Sequence, residues 1–137
     1  MYLVISEKPS VAQAISKVLG AYQKEDGYLS GRDCIVSWCL GHLAEYAMPE
    51  AYDAGYGKWR FDDLPLIPGD WKLEVAQDKK AQFMVLKKLL SRDGLDYVVN
   101  ACDAGREGEL IFKRVYDLTK SRIPVKRLWI SSMEDRA

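Results

Sequence analysis

Hydrophobic positions repeat with two different periods along this chain, and their alternation predicts its architecture. Residues 2–5 form a short apolar run that is typical of a buried parallel strand. A helix is predicted from Pro9 or Ser10 to Gly20, because Pro is tolerated in a first helical turn and Gly commonly ends a helix. Its apolar positions share one predicted face, made of Val11, Ile15, Val18 and Leu19. The chain therefore opens as a strand followed by a helix.

The same two patterns recur further along the chain. A β-hairpin is predicted over 28–39, around a turn at Gly31-Arg32-Asp33. Later segments read alternately as strands and helices: strands over 71–76, 96–101 and 125–130, and helices over 79–90 and 107–118. Such an alternation predicts an α/β fold with a mostly parallel sheet covered by helices, in a single domain over 1–137.

Residues 47–70 do not follow either period. They contain three prolines, several glycines and many aromatic side chains. This composition predicts an irregular but ordered excursion that returns to the sheet. We expect Trp59, Phe61 and Trp71 to anchor it to the body of the domain, because large aromatic side chains bury much apolar surface.

Composition narrows the class of protein. Lys and Arg together number 20, as do Asp and Glu, so the net charge is zero. This balance argues against a dedicated nucleic-acid-binding module, but not against a catalytic domain that meets DNA through metal ions and a local basic patch. No apolar run approaches the ~20 residues of a membrane span, so no membrane partner is expected. Three widely spaced cysteines in apolar surroundings predict reduced thiols and a cytoplasmic location.

Carboxylates follow two of the predicted strands. Glu7 comes directly after the first strand, and Asp103, Glu107 and Glu109 follow the strand over 96–101. Strand-to-helix turns of an α/β sheet collect at one edge, where ligands bind. Clustered carboxylates repel by about 4 kcal/mol per close pair at an effective dielectric of about 20, so such a cluster persists only if a cation or protons neutralise it. Oxygen ligands without His or Cys suit Mg²⁺, which predicts a magnesium site for phosphate chemistry.

Each of these residues also has an ordinary structural interpretation. Glu7 could be a surface carboxylate at a helix N-terminus, and Asp103 could cap a helix whose first turn carries Glu107 and Glu109. Lys8 could be a solvated lysine. His42 is the only histidine, which excludes His-rich metal sites, and its position after a glycine favours a structural role. Gly105 and Gly108 would let the backbone approach a ligand or a neighbouring strand closely.

The last residues resemble the start of another helix. Ser131 and Glu134 have the spacing of a capping box, in which a serine is followed three residues later by a glutamate. Only a few residues follow, so residues 131–137 are predicted to begin the next segment of a longer protein that is cut here.

Four motifs together resemble a known family: Ser6-Glu7-Lys8-Pro9-Ser10, Gly41-His42-Leu43, the segment 103–109, and Arg127-Leu128-Trp129-Ile130-Ser131-Ser132. In this order they resemble the N-terminal Toprim domain of bacterial DNA topoisomerase III, a type IA topoisomerase. The resemblance covers essentially the whole chain. It implies a Toprim fold, with a four-stranded parallel sheet between helices and an acidic metal site at the strand ends.

The resemblance also implies roles for individual residues. Glu7 matches the general acid/base at the 3′ oxygen, and Lys8 matches the lysine that stabilises charge on the scissile phosphate. Asp103 and Glu107 match two acids of an Mg²⁺-binding Asp-x-Asp-x-Glu set, together with Glu7. Arg106 matches an arginine that contacts phosphate or orients an acid. Gly105 stands where the middle acid belongs, and Glu109 or water could fill that gap, while His42 is a possible auxiliary residue.

The resemblance implies a reaction on single-stranded DNA. A tyrosine in another domain attacks the backbone and keeps a 5′-phosphotyrosine link, so this fragment, expected to be a monomer, is predicted to be inactive alone. Two other interpretations stay open. One is a different Toprim enzyme, such as a nuclease or primase-like domain that works without tyrosine. The other is a non-catalytic α/β module that binds phosphate or a partner.

Overall fold

The computed structural model of the protein describes residues 1–132 and 134–137. The strands are β1 (Tyr2–Ser6), β2 (Gln23–Glu25), β3 (Tyr28–Ser30), β4 (Cys34–Trp38), β5 (Ala44–Tyr46), β6 (Leu73–Val75), β7 (Tyr97–Ala101) and β8 (Val125–Arg127). The α-helices are α1 (Pro9–Leu19), α2 (Lys80–Leu90) and α3 (Arg106–Thr119). Both the predicted start of α1 at Pro9 and its end at Gly20, which has a φ of 72°, are confirmed.

The main sheet has the strand order β2-β3-β4-β1-β7-β8. Strand β1 lies at its centre and pairs in parallel with β4 on one side and β7 on the other, and β7 pairs in parallel with β8. Strands β2 and β3 add an antiparallel edge. The predicted α/β class with a mostly parallel sheet is confirmed, and the predicted hairpin is formed by β3 and β4. Since β4 is one of the four parallel strands, β3 and the additional strand β2 extend the sheet to six.

One predicted strand, over 71–76, was assigned to the wrong sheet. Residues 73–75 do not join the main sheet but pair antiparallel with β5, in a separate two-stranded sheet. The fourth parallel strand is β4, the second arm of the hairpin. The reason is burial, because β4 carries a run of buried residues from Cys34 to Ser37, whereas β6 is short and only partly buried. A half-buried antiparallel pair suits such a segment.

Alternate residues of β1 serve two hydrophobic cores. Leu3 and Ile5 pack with residues of α2 and α3, including Leu86 and Val115. Val4 points to the opposite face and packs with Ala12 of α1. Helices therefore cover both faces, and β1 is buried on each side, as its unbroken apolar sequence predicts.

Helix α1 buries only part of the face that its sequence predicts, since Ile15 packs against the core and Val11 is half-buried. Its buried residues are Ala12 and Ser16, whereas Val18 and Leu19 are exposed. Small side chains let the helix lie close to β1 and β4. Val18 and Leu19 line a surface cavity of about 250 Å³.

The excursion is ordered, but it is not anchored by the predicted aromatic residues. Trp59 and Phe61 are 75% and 90% exposed, and Trp71 is 59% exposed with its ring centre 5.2 Å from that of Tyr46. Short 3₁₀ helices over Pro49–Ala51, Ala54–Gly57 and Phe61–Asp63 shape the segment. Local bonds hold these turns, such as the one from Arg60 Nε to Asp63, so burial is not what orders them.

The predicted capping box includes Met133, which lies outside the described residues. The amide of Glu134 donates to Ser132 Oγ at 3.2 Å, and not to Ser131 as a box would require. Residues 134–137 form turns. The division of the chain at 131–137 stays a prediction. Among the helices of residues 1–132 and 134–137, none has the length and apolarity that crossing a membrane requires.

Candidate active site at the carboxyl edge of the sheet

Two carboxylates leave the sheet from adjacent strands. β1 and β7 run in parallel, and Ser6 lies opposite Ala101 at their carboxyl ends. Glu7 is the next residue of one strand, and Asp103 follows two residues beyond the end of the other. Neighbouring strands lie about 4.8 Å apart, so residues that are 96 positions apart in sequence start from the same short stretch of sheet edge.

A loop after β4 brings a third segment to this edge. The amide of Cys39 donates to the carbonyl of Ser6 at 2.8 Å, and the amide of Gly41 donates to the carbonyl of Glu7 at 3.3 Å. Gly41 has a φ of 65°, a left-handed conformation that glycine adopts without steric cost. The turn at Gly41 leaves His42 beside the acidic edge.

His42 contacts the first turn of α3. Its Nε2 lies 3.0 Å from Glu107 Oε2, and its Nδ1 lies 3.4 Å from Arg114 Nη1. A guanidinium only donates hydrogen bonds, so Nδ1 accepts and the ring proton sits on Nε2, where it donates to Glu107. Lys79 Nζ fixes the same loop by donating to the carbonyl of His42 at 2.9 Å. The sequence favoured a structural histidine, but the structure makes His42 a direct neighbour of a predicted metal ligand.

Glu107 also forms an ion pair with Arg106, which precedes it in α3. The Arg106 side chain is 85% exposed. The arrangement agrees with an arginine that orients an acid, and its exposure leaves it equally able to reach a phosphate.

The loop that carries Asp103 packs tightly on α3. A Cβ atom added at Gly108 would lie 2.0 Å from the carbonyl oxygen of Asp103, so only glycine fits there. The predicted close approach of backbone is therefore real at Gly108. It is not required at Gly105, where an added Cβ would meet nothing within 4 Å. Gly105 is also the N-terminal cap of α3, so the alternative role of Asp103 as a helix cap is not adopted.

Glu7 and Lys8 differ in exposure. The Glu7 side chain is 12% exposed and lies 3.6 Å from Lys8 Nζ, whose side chain is 59% exposed. A hydrogen bond with Cys39, burial and the charge of Glu7 raise the pKa of the Cys102 thiol above its usual value. The buried Cys102 side chain therefore favours its neutral form.

The carboxylate of Glu109 is engaged by two other side chains. Its carboxylate accepts from Arg127 Nε at 2.5 Å and from Asn100 Nδ2 at 3.3 Å. Sequence reasoning did not single out Arg127, Asn100 or Arg114 individually. Arg127 could have been found as the only charged residue in the motif over 127–132, but the partners of Asn100 and Arg114 depend on tertiary contacts.

Comparison with known proteins agrees with this arrangement. Residues 2–133 match the family model described as "Toprim domain". The chain belongs to the Toprim domain family. It is 47% identical over 135 residues to a protein named DNA topoisomerase 3 from Bacillus cereus, 46% identical over 134 residues to one from Shouchella clausii, and 44% identical over 135 residues to one from Bacillus subtilis.

This Toprim domain is much shorter than those relatives. The matches cover 98% of its length but only 18–19% of theirs, and they fall in the N-terminal region of each relative. The resemblance drawn from the four motifs is thereby confirmed as a match to the N-terminal part of proteins with that name.

The predicted metal ligands of the Toprim domain fit a hard divalent cation by their chemistry, because Glu7, Asp103 and Glu107 offer oxygen donors only. Within residues 1–132 and 134–137, however, no three His, Cys, Asp or Glu side chains gather closely enough to hold one ion. Glu107 is instead engaged by His42 and Arg106. The convergence of these three carboxylates on a metal stays a prediction.

Proposed function

We propose that this Toprim domain serves a type IA topoisomerase reaction, in which a DNA strand is cleaved and rejoined. The observation that carries the proposal is the parallel pairing of β1 with β7, from whose adjacent ends Glu7 and Asp103 emerge. The 44–47% identity to proteins named DNA topoisomerase 3 supports the same chemistry. The substrate would be single-stranded DNA, and the domain would act as a monomer in the cytoplasm.

Glu7 would be the general acid/base of this reaction. Its side chain follows the end of β1 and is 12% exposed, so its surroundings restrict its position without removing it from solvent. It would donate a proton to the departing 3′ oxygen during cleavage and take it back during rejoining. Positioned proton transfer of this kind contributes about 10²–10⁴-fold to a rate.

Lys8 and Arg106 would bind the phosphate. Both side chains are largely exposed next to carboxylates of the site, at 59% and 85%. Lys8 would stabilise the charge that develops on the scissile phosphate. The Arg106 side chain would orient Glu107 while the two are paired. When Arg106 releases Glu107, it would contact phosphate.

Mg²⁺ is the metal we propose, held by Glu7, Asp103 and Glu107. Bound there, it would supply positive charge that neutralises phosphate oxygens and orients the DNA backbone. His42 would hold Glu107 through its Nε2 proton, at the 3.0 Å separation seen here. Arg114 supports this tautomer by donating to Nδ1.

The attacking tyrosine would come from a different domain. In the part of the chain that the structure describes, no tyrosine hydroxyl is hydrogen bonded to Glu7, Asp103 or Glu107. The hydroxyls of Tyr22, Tyr52 and Tyr116 are bound to backbone groups elsewhere. Among the described residues, hydrogen bonding therefore positions no tyrosine hydroxyl at Glu7.

We expect this chain alone to leave DNA topology unchanged. Supercoiled plasmid incubated with the chain and Mg²⁺ should remain supercoiled on an agarose gel, because the nucleophile is absent. Relaxation would contradict the assignment of the tyrosine to another domain. Metal-dependent nicking by the chain would instead favour a Toprim nuclease or primase-like domain.

A chimera tests the topoisomerase reaction directly. This chain would replace the matching N-terminal region of DNA topoisomerase 3 from Bacillus cereus, to which it is 47% identical. The chimera should relax supercoiled plasmid in the presence of Mg²⁺. A chimera that folds and binds single-stranded DNA but does not cleave it would refute the proposal and favour a module that only binds.

Gly105→Asp should strengthen metal binding. The backbone at Gly105 is extended, and an added Cβ meets no atom within 4 Å, so the aspartate fits without strain. It would add a carboxylate where the family pattern has its middle acid. We expect Mn²⁺, followed by its electron paramagnetic resonance signal, to bind on the order of tenfold more tightly. Gly105→Asn is the uncharged control, and equal affinities of the two variants would contradict the expectation.

A further inference from the structure

We propose that Arg127 is a positioning residue, which fixes the loop over 102–105 so that Asp103 can serve the metal site. In this proposal Glu109 is the counter-ion of Arg127 and does not replace the missing middle acid. The inference rests on the proposed role of Asp103 as a metal ligand. Arg127 is the group that would hold the loop, and Glu109 is the candidate metal ligand that would be excluded.

Arg127 is the last residue of β8, and its guanidinium lies under the end of β7. Nη1 lies within hydrogen-bond distance of three carbonyl oxygens, those of Asn100 at 2.9 Å, Cys102 at 2.8 Å and Leu128 at 2.7 Å, which share its two N–H groups. Nη2 donates to the carbonyl of Asp103 at 2.8 Å. One side chain therefore bonds to carbonyl groups from the end of β7, from the loop and from the residue that follows β8. A planar guanidinium with five donors can do this, whereas the point charge of a lysine cannot.

The ring of Trp129 covers this guanidinium, with its centre 5.1 Å from Cζ. The Arg127 side chain is only 21% exposed. Limited access of water strengthens these hydrogen bonds. Their loss is costly, because water would only partly replace the lost donor at a carbonyl group that is partly buried.

Both oxygens of Glu109 are already used in this network. Oε1 accepts from Arg127 Nε at 2.5 Å, and Oε2 accepts from Asn100 Nδ2 at 3.3 Å. Asn100 is 2% exposed, and its Oδ1 accepts from the amide of Cys102 at 3.1 Å. The Arg127–Glu109–Asn100 network therefore fixes the loop from below, by its carbonyls and by one amide. A Glu109 that turned toward a metal would break this network.

Other bonds hold the two ends of the loop. The Cys102 thiol donates to the carbonyl of Ile5 at 3.9 Å, and the amide of Glu109 donates to the carbonyl of Gly105 at 3.0 Å. The carbonyl of Asp103 accepts from the amide of Gly105 at 2.9 Å, which is a bond within the loop. Arg127 bonds this carbonyl to the sheet, so its loss should let the Asp103 peptide group and carboxylate change direction.

The test compares Arg127→Gln with Lys126→Gln in the full chain. The two changes remove the same charge from neighbouring residues, but Lys126 Nζ lies 3.7 Å over the ring of Tyr97, away from the loop. Mn²⁺ affinity would be measured by electron paramagnetic resonance well below the thermal midpoint of each variant. In parallel, ¹⁵N-labelled samples without metal would report the amide signals of residues 102–105.

We expect Arg127→Gln to weaken Mn²⁺ binding by about 10–100-fold, the usual loss when an outer partner of a metal ligand is removed. The amide signals of 102–105 should shift, and Lys126→Gln should leave both measurements unchanged. Glu109→Gln should keep Mn²⁺ affinity within a few-fold of wild type, because Glu109 is not a ligand. A larger loss for Glu109→Gln than for Arg127→Gln would overturn the proposal.

A purely structural role for Arg127 predicts a lower midpoint with unchanged affinity in the folded protein, and that result would also overturn the proposal. If Arg127→Gln does not fold, Arg127→Lys takes its place, with a smaller loss expected in the same direction. If wild type binds no Mn²⁺, the proposed metal site fails, and the amide signals alone decide whether Arg127 fixes the loop. In that case, unshifted amide signals of residues 102–105 in Arg127→Gln would refute the role of Arg127 in fixing the loop.

Discussion

Glu7→Gln should slow strand cleavage, and with it plasmid relaxation, by about 10²–10⁴-fold in the chimera with the Bacillus cereus enzyme. Glutamine has the size of glutamate but cannot exchange a proton at neutral pH. Within residues 1–132 and 134–137, the salt bridge that Glu7 forms is with the exposed Lys8 at 3.6 Å, so the isosteric substitution should leave the fold intact. The measurement is the initial rate of plasmid relaxation, with circular dichroism to verify folding.

Glu25→Gln serves as the matched control for this experiment. Glu25 is exposed on β2, at the far edge of the sheet from β7. It loses the same charge without contact to the proposed site, so its chimera should relax plasmid at the wild-type rate. A Glu7→Gln chimera that retains more than a tenth of wild-type activity would show that Glu7 is not the acid/base.

Gly108→Ala should destabilise the domain by about 3 kcal/mol or more, which is at the upper end of the cost of overpacking. Alanine normally favours a helix over glycine by about 1 kcal/mol, so the local effect has the opposite sign. The steric effect dominates, because the added Cβ would lie 2.0 Å from the carbonyl oxygen of Asp103. That carbonyl cannot easily move away, since Arg127 Nη2 and the amide of Gly105 both donate to it.

Urea unfolding followed by tryptophan fluorescence would measure this loss. Gly105→Ala is the control, because an added Cβ there meets no atom within 4 Å and the backbone is extended. Its free energy of unfolding should stay within about 1 kcal/mol of wild type. Equal stability of the Gly108→Ala variant and wild type would mean that the loop carrying Asp103 is not packed on α3 as described.

The local elements were largely determined by sequence, for identifiable reasons. The apolar run over 2–5 and the Pro9 and Gly20 signals predicted β1 and α1, because burial on both faces and helix-end chemistry are properties of a few adjacent residues. The same holds for α2 and α3. Predictions of which strands pair were less accurate. Residues 73–75, for example, pair with β5 and not with the main sheet.

The sequence also did not predict which side chains of a helix or segment are buried. Val18 and Leu19 are apolar yet exposed, while Ala12 and Ser16 are buried, since the approach distance of α1 to the sheet decides which face is covered. Likewise, Trp59 and Phe61 are exposed although their composition predicted anchoring. A hydrophobic side chain favours burial, but burial also requires a neighbouring surface against which the side chain can pack.

For the candidate site, sequence alone determined the residue types and their positions at strand ends, namely Glu7 after β1 and Asp103 after β7. It also indicated a close backbone approach at Gly108. Only the tertiary structure decided that His42 holds Glu107, and that Arg127 and Asn100 hold Glu109. These partners lie 65, 18 and 9 positions apart in sequence, and hydrogen bonds depend on distances of a few ångströms that only the packing of helices, loops and sheet can set.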